Sequence, residues 1–412
     1  MTSPPERPPA PAAAPIEGLG DRAFVLVCLS HVLGYFSNGL LGPTLPLYLV
    51  AQGHGEAFVG LVLAAYSTTS FSVRLLVGQL VDAGHVRATL RATGFILGLA
   101  PFAYLVPLTP VLFLTRAVHG LGWAGLNVAG SAWAGMLAPV HRRAEALGYF
   151  TMAQRIGGTA AQVLGLSIAA GMGFYPVFML AGVVGLLVAA CAQFTRPESG
   201  QAGLAATRVR LGPGDLFNLR RLFAIERGAL LGAGLQTLII MTSPAAVTYM
   251  PLYFRHQGLE HVELYFLAVG VTGIAGRALV GQWADRIGRI RSIALGFGLQ
   301  FGGLALLGFA SGFWPLVAGG VIYTFGNVLS EPSLYALAID RSDPARRGAA
   351  MATYTSAFQL GSGLGAAVGG AVIQELGYEV FYRLELLPAA LGLVWLAAYW
   401  RRSSATRAAA AP

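Results

Sequence analysis

Arg277-Ala278-Leu279-Val280-Gly281-Gln282-Trp283-Ala284-Asp285 repeats, at an offset of 203, the earlier run Arg74-Leu75-Leu76-Val77-Gly78-Gln79-Leu80-Val81-Asp82. Each run sets an Arg eight residues ahead of an Asp, about 12 Å along a helix at 1.5 Å per residue. Two more pairs keep nearly the same spacing. Pro46-Leu47-Tyr48 returns as Pro251-Leu252-Tyr253 at an offset of 205, and Arg142-Arg143 returns as Arg346-Arg347 at an offset of 204. Three separated matches at one spacing mean that the chain is built from two copies of one unit.

The surroundings of these runs say what the unit is. The 412 residues are 55% hydrophobic and 11% charged, against about 25% charged in a soluble domain. Apolar runs fall at 22–50, 57–81, 92–107, 109–138, 145–172 and 174–194, and again at 228–254, 262–284, 291–311, 313–339, 348–373 and 381–400. Eleven of the twelve hold 20 residues or more and 92–107 holds 16, against about 20 for a bilayer crossing. In lipid the backbone groups must be satisfied within the segment or in a closed barrel, and the alternating ten-residue pattern of barrel strands is missing. The expected fold is therefore an all-α membrane protein: twelve transmembrane helices in two six-helix, pseudo-symmetric halves. The division is a tail at 1–20, a first half at 21–194, a linker at 195–227 rich in Gly, Pro and Arg, a second half at 228–402, and a tail at 403–412. The Pro-rich start lacks the basic-then-apolar order of a signal peptide, so both tails read as disordered.

The net charge of +9 comes from arginine alone, since no lysine occurs. A basic chain can be a nucleic-acid binder, but these arginines follow topology. With the N-terminus inside, twenty-one lie in inner segments, and only Arg255 and Arg383 lie in outer loops. This is the positive-inside pattern. It puts both termini in the cytoplasm of a multi-pass inner (plasma) membrane protein. Cys28 and Cys191 sit in apolar runs and read as small hydrophobes. No nucleophile–base pair, metal cluster or phosphate loop stands in or beside the spans, so an enzyme is not expected, and neither is a cofactor or a nucleic-acid partner.

Gly281-Gln282-Trp283-Ala284-Asp285-Arg286-Ile287-Gly288-Arg289-Ile290-Arg291 resembles the loop signature of the major facilitator superfamily, over a resemblance covering about residues 20 to 402. The resemblance implies a transporter. In it, Arg74, Gly78, Asp82 and Arg87, and likewise Arg277, Gly281, Asp285, Arg286, Gly288 and Arg289, would form a cytoplasmic gate. The first copy departs from the pattern, with Ala83 where Arg is usual and with a titratable His85. Leu114-Thr115-Arg116 followed by His119-Gly120-Leu121-Gly122 resembles the span-four motif of proton-coupled exporters, and the chain as a whole is similar to the bacterial drug/sugar efflux-type branch. The Gly-Pro pair of drug/proton antiporters is replaced by Gly157-Gly158-Thr159.

Arginines and carboxylates inside a bilayer cost about 2.5–3.5 kcal/mol each at the centre, so they face a cavity or a partner. Arg74, Arg116, Arg155 and Arg277 oppose Glu331. Spacings of three and four residues, which share a helix face, group His31, Tyr35 and Asn38 in span one; Arg116, His119, Trp123 and Asn127 in span four; Arg155, Thr159 and Gln162 in span five; and Tyr323, Asn327 and Glu331 in span ten. Gln236 stands at the repeat position of His31, and Gln359 at that of Arg155. These stripes predict a shared polar cavity for a small-molecule substrate, with Glu331, Arg116 and His31 as groups for proton coupling. The expected activity is proton-coupled export of a small organic solute by a monomer in the bilayer. The competing expectation is an organic-anion transporter that uses Arg155 and Arg116 as carboxylate forks.

Overall fold

The computed structural model describes residues 22–138, 142–195, 225–343 and 347–409. The first half is α1 (Arg22–Ala51), α2 (Glu56–Asp82), α3 (Val86–Ala103), α4 (Thr109–Leu137), α5 (Arg143–Met172) and α6 (Phe174–Phe194). The second is α7 (Leu230–Met241), α8 (Ser243–Ala246), α9 (Met250–His256), α10 (Val262–Ile287), α11 (Arg289–Phe309), α12 (Phe313–Asp340), α13 (Arg347–Leu376), α14 (Tyr378–Leu384) and α15 (Leu386–Ala409). Taking α7–α9 as one broken rod and α14–α15 as another gives the twelve spans. Eight helical segments are long and apolar enough to cross a membrane on their own, and α4, with its polar stripe, is not among them. Residues 1–21 and 196–224, the expected first tail and most of the linker, lie outside the described residues. The expected second tail is partly helical instead: α15 continues to Ala409, through a run whose alanines favour helix.

The break in span seven follows from its prolines. Pro244 and Pro251 cannot donate to the preceding turn and stand at the first turns of α8 and α9. Carbonyls freed within a bilayer need other donors, and tyrosines supply them. The Tyr265 hydroxyl donates to the Ala246 carbonyl at 3.0 Å, and Tyr382 donates to Ala245 at 2.8 Å.

The halves meet through α2 against α13 and α5 against α10. The first crossing is close because it is built on glycine. A Cβ on Gly60 would stand 2.4 Å from the Ala366 carbonyl oxygen, and one on Gly370 would stand 2.3 Å from that of Glu56. Between helices in lipid, such close backbone approach supplies much of the attraction. Polar bonds finish the seam: the Tyr378 hydroxyl donates to Glu56 Oε1 at 3.0 Å, and the Ala57 N–H donates to Gln374 Oε1 at 3.1 Å. These contacts lie at the end of the bundle opposite Arg22 and Ala409. One apolar core spans both halves at this distal end, from Leu45 and Tyr48 to Tyr249 and Phe381. Toward the terminal end each half has its own core, around Trp133 and Phe150 in the first and Phe297 and Tyr354 in the second. The halves are thus joined distally and part toward the terminal end.

Tyr378→Phe removes one cross-half bond and nothing else of size. We expect about 1 kcal/mol weaker distal closure, a roughly fivefold shift toward the distally open form, read by spin-label distances across that end. On the terminal side, Arg142 donates to both carboxylate oxygens of Glu145 at 2.8 Å. Those hydrogen bonds hold the Glu145 carboxyl below the usual range. This brace at the start of α5 is present above the ordinary carboxylate pKa and is lost as pH falls through the lowered value.

Candidate functional site

Three charges from three helices meet between the halves. Glu331 Oε2 on α12 accepts from Arg277 Nη2 on α10 at 2.5 Å and from Arg155 Nη2 on α5 at 3.4 Å. The first pair lies within the second half, and the second pair crosses to the first half. Pro332 follows Glu331 and leaves the Val328 carbonyl without its helical donor, which loosens α12 where the carboxylate projects. The Tyr354 hydroxyl, from α13, stands 2.9 Å from Gln236 Oε1 and 3.2 Å from the Glu331 carbonyl. The side chains of Arg155, Arg277 and Glu331 are 49%, 33% and 28% exposed. A carboxylate that half-solvated arginines hold is screened enough to be exchanged, which a locked buried pair is not.

An aromatic wall stands beside this triad on the first half. Tyr35 and Trp123 have ring centroids 4.6 Å apart, and Tyr66 closes the group 6.4 Å from Trp123. Amides set their hydroxyls: Tyr35 donates to Asn127 Oδ1 at 2.8 Å, and Tyr66 donates to Asn38 Oδ1 at 3.1 Å. The Tyr35 phenol lies within electrostatic reach of Arg155, Arg74, Glu331 and Arg277, so wall and charges share one space. Arg74 brings a further positive charge to it, with Nε unbonded and no carboxylate partner among the described residues.

Other expected residues go elsewhere. His31 is fully buried, with its ring against Phe150 at 4.4 Å and over Gly130. Gly130, with no side chain, makes room for the ring, which lies 6.4 Å from that of Tyr35 on the buried side of α1. Arg116 and His119 are also buried, behind the Tyr66 ring. Tyr323 braces the break in span seven, with its hydroxyl 2.9 Å from Thr242 Oγ1. Asn327, one turn before Glu331, reaches back to the Tyr323 carbonyl at 3.4 Å. Gln359 is buried on α13, and Thr159 fills the notch at Gly270 where α5 crosses α10.

The gate residues divide as well. Arg277 pairs with Glu331, and Arg74 lies within electrostatic reach of Tyr35 and Tyr66. Arg87 donates through Nε to the Ala192 carbonyl at 3.2 Å and through Nη2 to that of Gln193, a cation on the last carbonyls of α6. Arg289 pairs with Asp340 within the second half. Gly288 turns the chain at φ +87°, a conformation that glycine adopts without strain. Gly78 has open space around it, and Arg286 is exposed. The side chains of Asp82 and Asp285, and the surroundings of Gly281, lie outside what the structure describes.

Four residues that stack or hydrogen-bond around these helices carry no site signal in the sequence: Tyr66, Tyr354, Thr242 and Tyr104. A tyrosine in an apolar span reads as core until its hydroxyl partner is known, and none of the four falls on a polar stripe. Glu385, inside the apolar run 381–400, is buried at the break between α14 and α15.

Comparison with known proteins agrees with this architecture. The family model described as Major Facilitator Superfamily matches residues 27–313 and 279–411. An uncharacterized MFS-type transporter of Pseudomonas aeruginosa is 27% identical over 409 residues, 96% of this chain and 98% of that protein. One of Methanocaldococcus jannaschii is 22% identical, covering 85% of this chain and 90% of its own. Among solved structures, the nucleoside transporter NupG superposes with a TM-score of 0.67 at 15% identity, covering 92% of this chain and 99% of that one. The human organic anion transporter MFSD10 superposes with a TM-score of 0.62 at 17% identity, covering 91% and 99%. A repeat of six helices, halves joined at one end and parted at the other, and a family match along nearly the whole chain lead to one statement: the chain belongs to the Major Facilitator Superfamily and is a membrane transporter of a solute, not an enzyme.

Proposed function

We propose that the chain carries a small organic anion across the inner membrane by alternating access. Arg155 and Arg277 are the carboxylate-binding forks, and Glu331 holds those forks when no solute is present. The observation that carries this reading is a single carboxylate shared by arginines of both halves, beside an Arg74 with no described counter-charge. A solute carboxylate takes the place of Glu331 on Arg155 and Arg277. Glu331, released from both arginines, is the group assigned to carry a proton, so that proton and anion occupy the site together. Tyr35 and Trp123 offer a planar surface for the solute's apolar part, and Asn38 and Asn127, which hold the Tyr66 and Tyr35 hydroxyls, offer polar contacts beside it. MFSD10 is named for a substrate of this chemical class, although a likeness at 17% identity shows the fold alone.

With the arginine asymmetry placing both termini in the cytoplasm, the parted end of the structure faces inward. Rocking of the halves, 21–194 against 228–402 about the 195–227 linker, then exposes the site alternately. One chain encloses the whole path, which fits a monomer. The second reading is proton-coupled export of a neutral or cationic solute, favoured by the Arg116–Gly120–Gly122 run in α4. There the solute pairs with Glu331 and competes with the proton instead of joining it.

A thermal-shift screen of the purified protein against small carboxylates, phosphates, neutral sugars and cationic amphiphiles separates the two. We expect stabilisation by a carboxylate, weakened about tenfold or more in Arg155→Ala, and stronger at acidic pH. Stabilisation by cationic amphiphiles alone, unchanged in Arg155→Ala, overturns the anion reading in favour of export.

A further inference from the structure

Arg74 is the arginine that the central triad leaves over, and its register turns it toward the space between the halves. Ser67 and Gly60 stand seven and fourteen residues before it on α2, and residues seven apart share a helix face. Both touch α13 of the second half. A Cβ on Gly60 would stand 2.4 Å from the Ala366 carbonyl oxygen, and one on Gly363 would stand 3.0 Å from Ser67 Cβ. Arg74 continues that face toward the terminal end, where the halves part, and it is partly exposed there. It lies eight residues from the end of α2, while Glu331 lies nine from the end of α12 and Arg277 ten from the end of α10. At 1.5 Å per residue these are depths of about 12, 13 and 15 Å. The three stand at nearly one level, with Arg74 on the first-half wall.

The internal repeat shows what Arg74 lacks. Arg74 and Arg277 are one position in the two copies, at the offset of 203. The helices α4 and α12 start 204 residues apart, at Thr109 and Phe313, and that spacing sets Asn127 at the position of Glu331. In the second half the pair is closed, with Arg277 on Glu331 at 2.5 Å. In the first half an amide replaces the acid, and the amide is occupied: Asn127 Oδ1 accepts from Tyr35 at 2.8 Å, and Nδ2 donates to the Trp123 carbonyl at 2.9 Å. Arg74 has no ion pair among the described residues, and its Nε is buried without a partner. Tyr35 and Tyr66 lie within its electrostatic reach, and Glu331 does not. Tyr35 is in reach of Arg74 and of all three charges of the triad, so it stands between them. A cation in a membrane cavity without a counter-charge is costly. Once a solute carboxylate replaces Glu331, a monoanion would leave that cost in place.

We propose that the solute is a dianion with an acidic group at each end of a flat apolar body: one group sits on Arg155 and Arg277, the other on Arg74, and the body lies along Tyr35 and Trp123. This inference rests on the anion reading of the central site. The second acid does for Arg74 what Glu331 does for Arg277, in the place where the first copy carries Asn127.

The test is a thermal-shift titration of the full chain in detergent at neutral pH with benzoate, terephthalate and monomethyl terephthalate. The first and last are monoanions built on the same ring, and the concentration dependence of the melting temperature gives the relative affinities. We expect terephthalate to bind about tenfold or more tighter than either monoanion, the gain of one charge-assisted contact. In Arg74→Gln that preference should disappear, and in Arg155→Gln all three should weaken. A preference that survives Arg74→Gln overturns the proposal. So does a half ester that binds the native chain as tightly as terephthalate, a result that stands whether or not Arg74→Gln folds. Benzoate bound with terephthalate no tighter overturns this inference and leaves the anion reading standing. No stabilisation by any of the three overturns both.

Discussion

Glu331→Gln is expected to abolish accumulation of solute driven by a pH gradient. The substitution keeps the volume and removes the one carboxylate between Arg155 and Arg277, so two guanidinium groups face the cavity without a counter-charge. Deleting one partner of a buried ion pair costs about 3–5 kcal/mol. Here the three side chains are between 28% and 49% exposed, and screening by water lowers the figure to about 1–3 kcal/mol. That range corresponds to roughly fivefold to 150-fold in rate or affinity. The cross-half pair with Arg155 is lost, and with it the group proposed to take up the proton. Proteoliposomes separate these effects: pH-driven uptake reads the coupling, and counterflow without a gradient reads the alternation of the halves. We expect the first to vanish and the second to continue at reduced rate. Glu331→Asp, which keeps the charge on a shorter side chain, should restore part of the coupled uptake. Undiminished pH-driven accumulation by Glu331→Gln would remove the proton role from this residue.

Gly60→Leu should be nearly as damaging for a different reason. At this position the β-carbon would lie 2.4 Å from the Ala366 carbonyl oxygen and its branches would press on Tyr249. Backbone cannot yield as a flexible side chain can, so α2 and α13 must separate. The Tyr378–Glu56 and Gln374–Ala57 bonds along the same seam would then be lost together. Overpacking typically costs about 1–3 kcal/mol, and the two hydrogen bonds add about 1 kcal/mol each. We expect transport to fall by tenfold or more. A reporter Ser67→Cys, placed where Ser67 Cβ faces Gly363, should change from protected to labelled by a membrane-impermeant maleimide. Normal transport with a protected Ser67→Cys would show that the α2–α13 seam does not govern distal closure.

The tertiary structure also corrects a natural inference from helical spacing. His31, Tyr35 and Asn38 share a face of α1 by register, and so do Arg116 and Trp123 on α4. Yet His31 turns onto Gly130 and Phe150, and Arg116 retreats behind Tyr66. A stripe fixes the direction of a side chain only to within a helix face about a third of the circumference wide. Neighbouring helices decide which members of the stripe reach the cavity. The arginines of the repeated runs behave similarly: an eight-residue spacing ties Arg277 to Asp285 along the chain, while its partner in space is Glu331, 54 residues away.

What the sequence determined by itself is the class, the count and the symmetry. Hydropathy in runs of about 20 residues leaves helices as the structural solution in lipid, and a 203-to-205-residue offset between matching segments makes two halves of them. The rarity of intramembrane charge singles out Arg74, Arg116, Arg155, Arg277 and Glu331 together, because such residues are too costly to keep without a partner or a function. Only the tertiary structure decided who meets whom: the sharing of Glu331 between the halves, the glycine seam of α2 and α13, the tyrosine hydroxyls that complete broken spans, and the isolation of Arg116. Each depends on distances of a few ångströms between segments far apart in sequence. Short-range hydrogen bonding and packing set those distances, and no local pattern along one helix encodes them.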